Sequence, residues 1–214
     1  MVSEIESDRL RDSLSRLGGL LYLTFGPMFS GKTTWLVSIY KMCVERNLQV
    51  AVINYADDKR YHDTMLSTHD LVMIPCIQAN TLAEIMTNES VLSADVVLIN
   101  EGQFFVDLYD TVVKLVDVDK KKVYVSGLDG DFKRTKFGGM SDLVPMSDII
   151  QKLHADCHNC NCPAPFSHRI TDEVSQIVIG SSNYIPLCRT CHLEANAVSA
   201  DHAVWRDCGE GGKE

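Results

Sequence analysis

The stretch GPMFSGKT at residues 26–33 constrains this chain more than any other. It fits G-x-x-x-x-G-K-[ST], a pattern that works only between a strand and a helix. The flanks comply: Leu20–Phe25 reads as a buried strand, and a helical stretch is expected from about Thr33 to Arg46. Gly26 and Gly31 let backbone N–H groups turn inward around phosphate oxygens, and the helix N-terminus adds positive potential. Pro27, Met28, Phe29 and Ser30 complete the cradle. Lys32 is placed to reach the β- and γ-phosphates, the Thr33 hydroxyl to hold magnesium, and Thr34 to follow it into the helix. A nucleoside triphosphate site is expected.

Three further apolar runs, QVAVINY, VVLI before Asn100 and KKVYVSG near 122–127, are separated by helix-length segments. Continuous apolar strands of this kind indicate a mostly parallel sheet covered on both faces. The expected fold class is therefore α/β, a P-loop NTPase core over residues 19–154. Residues 1–18 are expected to be a flexible arm, although Ile5, Leu10, Leu14 and Leu17 are spaced for a short helical stripe. The tail 196–214 carries glycine and charge with little apolar content, so disorder is expected there.

Bulk properties exclude several classes. A net charge of −9 and a pI near 5.2 argue against a nucleic-acid partner, which needs a basic face. No N-K-x-D guanine-reading motif accompanies the phosphate loop. There is no apolar run of about 18 residues, so no membrane partner is expected. The first residues lack the layout of a signal peptide. Together with eight cysteines, this points to a reducing, cytoplasmic setting in which metal sites are favoured over disulfides.

Five of those cysteines fall within the 35 residues from Cys157 to Cys191. Cys157-x-x-Cys160 and Cys188-x-x-Cys191 form two matched knuckles with 27 residues between them. Two such knuckles complete a closed, structural tetrahedral zinc site. Cys162 could replace Cys160, and His158 or His192 could compete as a ligand. Residues 155–195 are read as a small zinc module. Cys43 and Cys76 are read as small core side chains.

The order of GPMFSGKTT, NYADDKRY, STHD, EGQFF, LDGDFKRTKFGG, LVP, the paired knuckles and VIGSSNY resembles the thymidine kinases of the cellular, poxviral and bacterial type. The likeness runs from about residue 20 to 192. It implies transfer of the γ-phosphate of ATP to the 5′-hydroxyl of thymidine, and of deoxyuridine as well. Glu101 is implied as the general base. Met28, Phe104, Leu128, Phe132 and Phe137 are implied around the thymine ring. Ser167, the run Gln176, Ile177, Val178, Ile179 and Gly180, and Tyr184 match a zinc-anchored lasso that closes over the nucleoside. Asp58, Lys59, Arg60, Asn100 and Gln103 match segments near ATP. The resemblance further implies a homotetramer and feedback inhibition by dTTP.

One position departs from the pattern. The family carries Asp-Glu where this chain has Asn100-Glu101. An amide oxygen can orient a metal-bound water but brings no charge to offset the cation. Activity with weaker magnesium binding is the leading expectation. A catalytically weakened relative and a zinc-ribbon P-loop ATPase are the alternatives.

Overall fold

A computed structural model describes residues 4–56, 65–68, 71–178 and 180–197. The elements in chain order begin with α1 (Glu4–Ser15), β1 (Leu20–Phe25), α2 (Lys32–Glu45) and β2 (Val50–Tyr55). A small hairpin of β3 (Met65–Ser67) and β4 (Met73–Pro75) precedes β5 (Ile77–Ala79), α3 (Glu89–Ser93) and β6 (Val96–Ile99). Then come α4 (Leu108–Val113), β7 (Lys122–Gly127) and β8 (Ile149–Lys152).

Six strands form one sheet in the order β5-β2-β6-β7-β1-β8, and each neighbouring pair is parallel. The expected mostly parallel α/β sheet is borne out. Its two faces are read directly from strand alternation. Leu21, Leu23, Val97, Ile99, Val123 and Val125 pack with Leu108, Val112 and Met140 on one side. Leu20, Tyr22, Val96, Leu98 and Tyr124 pack with Trp35, Leu36 and Ile39 of α2 on the other. Both faces are apolar because both are covered, which is why these strands read as unbroken hydrophobic runs.

The second of these clusters also contains Leu10 and Leu14, and this corrects the expected flexible arm. Glu4–Ser15 is a helix, and Leu10 is fully buried. The Ser13 hydroxyl lies 2.7 Å from the Tyr124 hydroxyl and donates to the Leu10 carbonyl. The physical reason is the leucine spacing: residues four apart share one helix face, and the sheet offers apolar surface for that face to cover. The tail at 198–214 lies outside the described residues.

Beyond β8 the chain builds a second, smaller unit. β9 (Ala155–Asp156) pairs with β10 (Pro163–Ala164), and β11 (Phe166–Arg169) pairs with β12 (Tyr184–Leu187), which runs into α5 (Arg189–Asn196). Its core is minimal: Ala155, Ala164 and Leu187 around Cys157, Cys188 and Cys191. With so few apolar side chains, a metal held by the cysteines would supply much of this unit's folding energy.

If α1 is part of the core, Leu10→Ala removes a fully buried side chain and lowers stability by about 2–4 kcal/mol. A free arm predicts a change below about 0.5 kcal/mol. Urea unfolding of both proteins distinguishes them.

Candidate active site

The phosphate loop follows β1 directly. Phe29 and Gly31 both take left-handed backbone angles, with φ of 64° and 82°, and fold the loop around its own amides. Gly26 permits a close approach: a Cβ there would sit 2.5 Å from the Leu153 carbonyl oxygen. The Lys32 ammonium donates to the Pro27 carbonyl at 2.6 Å and spans the loop it belongs to. α2 begins at Lys32 with no acid in its first turn and no side-chain cap, so its N-terminal dipole faces the loop unopposed.

The strand ends beside the loop carry polar side chains. Asn100, which follows β6, is buried, and its Nδ2 donates to Asn54 Oδ1 at 2.8 Å. Its Oδ1 accepts from the Ser126 hydroxyl at 3.4 Å. Asn54 in turn meets the Gln78 amide at 3.2 Å. A neutral row thus crosses β5, β2, β6 and β7, and Asn100 occupies its interior. The amide at position 100 has structural partners on both sides.

Glu101 next to it adopts φ 55° and ψ 42°, a left-handed conformation that side chains other than glycine rarely take. Such strain persists where the surroundings fix it, and it concentrates at functional positions. Gln103 supplies the fixing contact. Its Nε2 donates to Glu101 Oε2 at 2.7 Å, while its Oε1 accepts from the Leu128 N–H at 2.9 Å. Gly127 makes room, since a Cβ there would lie 2.5 Å from Gln103 Oε1.

The aromatic wall is built from Phe104, which stacks on Tyr55 at 4.9 Å and meets Phe137 edge-on at 5.5 Å. Opposite lies the segment between β11 and β12. Gln176 Nε2 donates to Asp131 Oδ2 at 2.8 Å, and the Tyr184 hydroxyl donates to the Val178 carbonyl at 3.1 Å. Burial raises the Asp131 carboxyl, but hydrogen bonds from Thr135, Gln176 and the Thr135 and Lys133 amides outweigh it, holding it below the usual range.

These parts enclose one cavity. Met28, Phe29, Ser30, Gly31, Lys32, Thr33 and Thr34 line it from the loop side, with Asn100, Glu101 and Gln103 at the strand end. Phe104, Leu128, Phe137, Gln176, Ile177, Val178, Gly180 and Tyr184 complete it. Gly26 and Pro27 belong to the loop but do not line the cavity. Two expected positions lie elsewhere. The face of Phe132 is covered by the Arg169 guanidinium at 3.8 Å, so that ring is a platform and does not line the cavity. Ser167 is buried, and its hydroxyl accepts the Met28 N–H at 3.0 Å, tying β11 to the phosphate loop. Asp58, Lys59, Arg60 and Ile179 lie outside the described residues.

Several lining residues were not foreseen: Asn54, Met65, Leu66 and Ser67. For Asn54 the signal existed, because VINY and VVLIN both end an apolar strand on asparagine. Ser67 opens the STHD segment, whereas Met65 and Leu66 gave no signal.

Four of the candidate metal ligands are brought together by the fold. The Sγ atoms of Cys157, Cys160, Cys188 and Cys191 lie within 4.8 Å of one another. Cys160 Sγ is 3.6 Å from Cys188 Sγ and 3.7 Å from Cys191 Sγ. Tetrahedral zinc with bonds of about 2.3 Å requires sulfur separations near 3.8 Å, so this set fits. Cys162, His158 and His192 fall outside the cluster. Burial pushes the Cys188 and Cys191 thiols up; at Cys157 burial acts the same way, but N–H donors from Cys188, Asn159 and Cys160 outweigh it and bring it down from 9.0 to about 6. A thiolate is the form that binds metal.

Comparison with known proteins agrees with this arrangement. A family model described as thymidine kinase matches residues 19–192. The chain is 34% identical over 200 residues to "Thymidine kinase a" of Arabidopsis thaliana, covering 92% of this chain and 84% of the relative. It is 37% identical over 179 residues to a thymidine kinase of Yaba monkey tumor virus, covering 83% and 97%. Among solved structures, a replication initiator DnaA bound to AMPPCP and single-stranded DNA overlaps with a TM-score of 0.46 at 12% identity. That overlap covers 73% of this chain and 49% of the other, about half its length, and carries no functional argument. Among the described residues no helix is long and apolar enough to cross a membrane.

Cys188→Ser removes one corner of the sulfur tetrahedron, so purified protein is expected to lose its bound metal. Elemental analysis measures it, and stoichiometric metal in the variant would overturn the four-cysteine set.

Proposed function

Because the chain belongs to the thymidine kinase family, we propose that it transfers the γ-phosphoryl group of ATP to the 5′-hydroxyl of thymidine, yielding dTMP and ADP. One observation carries this reading. The phosphate loop, a carboxylate held by Gln103 and an aromatic-walled recess under the β11–β12 segment all face one cavity.

In the transfer, the thymidine 5′-oxygen forms a bond to the γ-phosphorus while the bond to the β–γ bridging oxygen of ATP breaks. The hydroxyl proton passes to Glu101, and ADP leaves with the bridging oxygen. Gln103 orients the carboxylate by donating to its Oε2. Loop amides and Lys32 orient the phosphates, and positioning of this kind is most of what phosphoryl transfer asks of a protein. Phe104 and Phe137 offer faces for the pyrimidine ring. The β11–β12 segment excludes water, which would otherwise compete as acceptor. Deoxyuridine, lacking only a methyl group, is an expected second substrate.

The donor set suits magnesium. The Thr33 hydroxyl and the Asn100 amide are oxygen donors of the kind a hard cation takes, and Glu101 is the one carboxylate among the described lining residues. When bound with ATP, magnesium neutralises charge developing on the β- and γ-oxygens. The four cysteines fit zinc in a structural role. A homotetramer, inhibition by dTTP and a cytoplasmic setting complete the proposal, on family grounds.

Glu101→Gln keeps shape and removes the proton acceptor. Its kcat should fall by roughly 10²–10⁴ while ATP and thymidine affinities change little. A variant within a few-fold of wild type takes the base role away from Glu101.

Asn100→Asp tests the missing charge. Asn54 can turn its amide, and Ser126 already donates, so a carboxylate at 100 finds donors on both sides. One added charge at about 4 Å from a divalent cation would contribute about 2 kcal/mol even with water-like screening. Calorimetry of an ATP analogue at graded magnesium should then show a half-saturating concentration lower by roughly thirtyfold. Superimposable curves would mean that position 100 does not address the metal.

A further inference from the structure

Between β11 and β12 the described residues 170–178 and 180–183 run along the cavity, and their first helical turn appears only at Ser181–Asn183. Val174 is 82% exposed and Ile177 50% exposed, so burial of apolar surface does little to hold this segment. A strand ladder does not hold it either. Something else must set its position.

Arg169, the last residue of β11, is 5% exposed and turns its guanidinium inward beneath the segment. Nη1 donates to the carbonyls of Glu173, at 2.7 Å, and of Ser175. Nη2 donates to the Gln176 carbonyl at 3.1 Å and to the Tyr184 hydroxyl, which itself donates to Val178. The guanidinium plane rests 3.8 Å from the centre of Phe132, and the Phe132 carbonyl lies 3.2 Å from His192 Nε2 in the metal-bearing module. Among the described residues no carboxylate comes within ion-pairing distance of Arg169; its charge is met mainly by carbonyl dipoles, a phenol and two rings, with a longer-range pull that helps lower the exposed Glu173 carboxyl.

We infer that Arg169 is a positioning residue that latches the cavity's cover: one buried cation gathers three main-chain carbonyls and Tyr184, and so fixes the edge formed by Gln176, Val178 and Tyr184. Arg169 does not line the cavity and touches no substrate. The arrangement suits a cover that must open. A planar fork of donors collects several carbonyls from irregular backbone at once, which no single neutral side chain can do. A carboxylate partner would stay attached when the segment lifts. Carbonyls, in contrast, are readily exchanged for water, so the latch can release to admit a nucleoside and re-form over it. Lysine offers one charge but not the fork.

The inference rests on the proposed nucleoside site only for its kinetic consequence; the latch itself is a statement about the segment. Two variants test it, each purified as the full metal-loaded chain. Arg169→Met keeps a long stem for Phe132 and removes every donor. Arg169→Lys keeps the charge alone. Hydrogen–deuterium exchange without ligand should be about tenfold faster over 172–178 in Arg169→Met, with the sheet unaffected. The thymidine KM should rise by roughly tenfold with kcat and the ATP KM within about twofold, and Arg169→Lys should fall between. Bound metal should remain stoichiometric. Unchanged exchange over 172–178, a parallel rise in both KM values, or loss of metal would each overturn the latch. If the wild-type chain did not phosphorylate thymidine, the proposed function would fail, and the exchange comparison would still decide the latch.

Discussion

The site hangs on the row of neutral side chains that closes the carboxyl edge of the sheet. Parallel strands end with unpaired polar backbone pointing at whatever they bind, and here Asn54, Asn100 and Ser126 bridge those ends. Asn100 is 2% exposed, so each lost partner would leave a buried amide group unsatisfied, at about 1–3 kcal/mol. The row therefore fixes how β2 and β6 terminate together, and the strained turn at Glu101 starts from a fixed point. An acid at position 100 would have concentrated charge here. The amide exchanges that charge for a continuous hydrogen-bonded connection.

From that edge outward, the candidate site residues are held by side-chain contacts with their neighbours. Glu101 is fixed by Gln103, and Gln103 by the Leu128 amide, across the space that Gly127 leaves empty. The phosphate loop is braced by the Ser167 hydroxyl from the smaller unit. Prearranged groups of this kind need little reorganisation when charge moves, which is where electrostatic catalysis gains most.

Much of this was legible in the sequence, for identifiable reasons. The phosphate loop could be read because glycine spacing is dictated by backbone geometry, and the sheet because doubly covered strands must be apolar throughout. The cysteine knuckles could be read because metal coordination fixes their spacing. What was missed depended on tertiary context. Leu10 and Leu14 look like any weak amphipathic stripe until the sheet face they cover is known. Phe132 reads as one more aromatic near a planar ligand, and only the fold reveals that a guanidinium already occupies its face. Arg169 carried no signal, because a lone arginine after a strand is common and its carbonyl partners leave no mark in side-chain identity.

The bond between Ser167 and the Met28 amide bears on how the two units can be treated. Met28 belongs to the phosphate loop and lines the cavity, whereas Ser167 lies on β11, two residues before Arg169. One four-residue strand thus reaches the loop that holds triphosphate and the segment that covers the acceptor. Its pairing with β12 runs into Cys188, the first sulfur of the second knuckle. Metal, cover and phosphate loop consequently share β11 as a common support. A displacement of that strand would register on both sides of the cavity, so the cysteine-bearing module is better understood as a frame for the whole cavity than as an anchor for the β11–β12 segment alone.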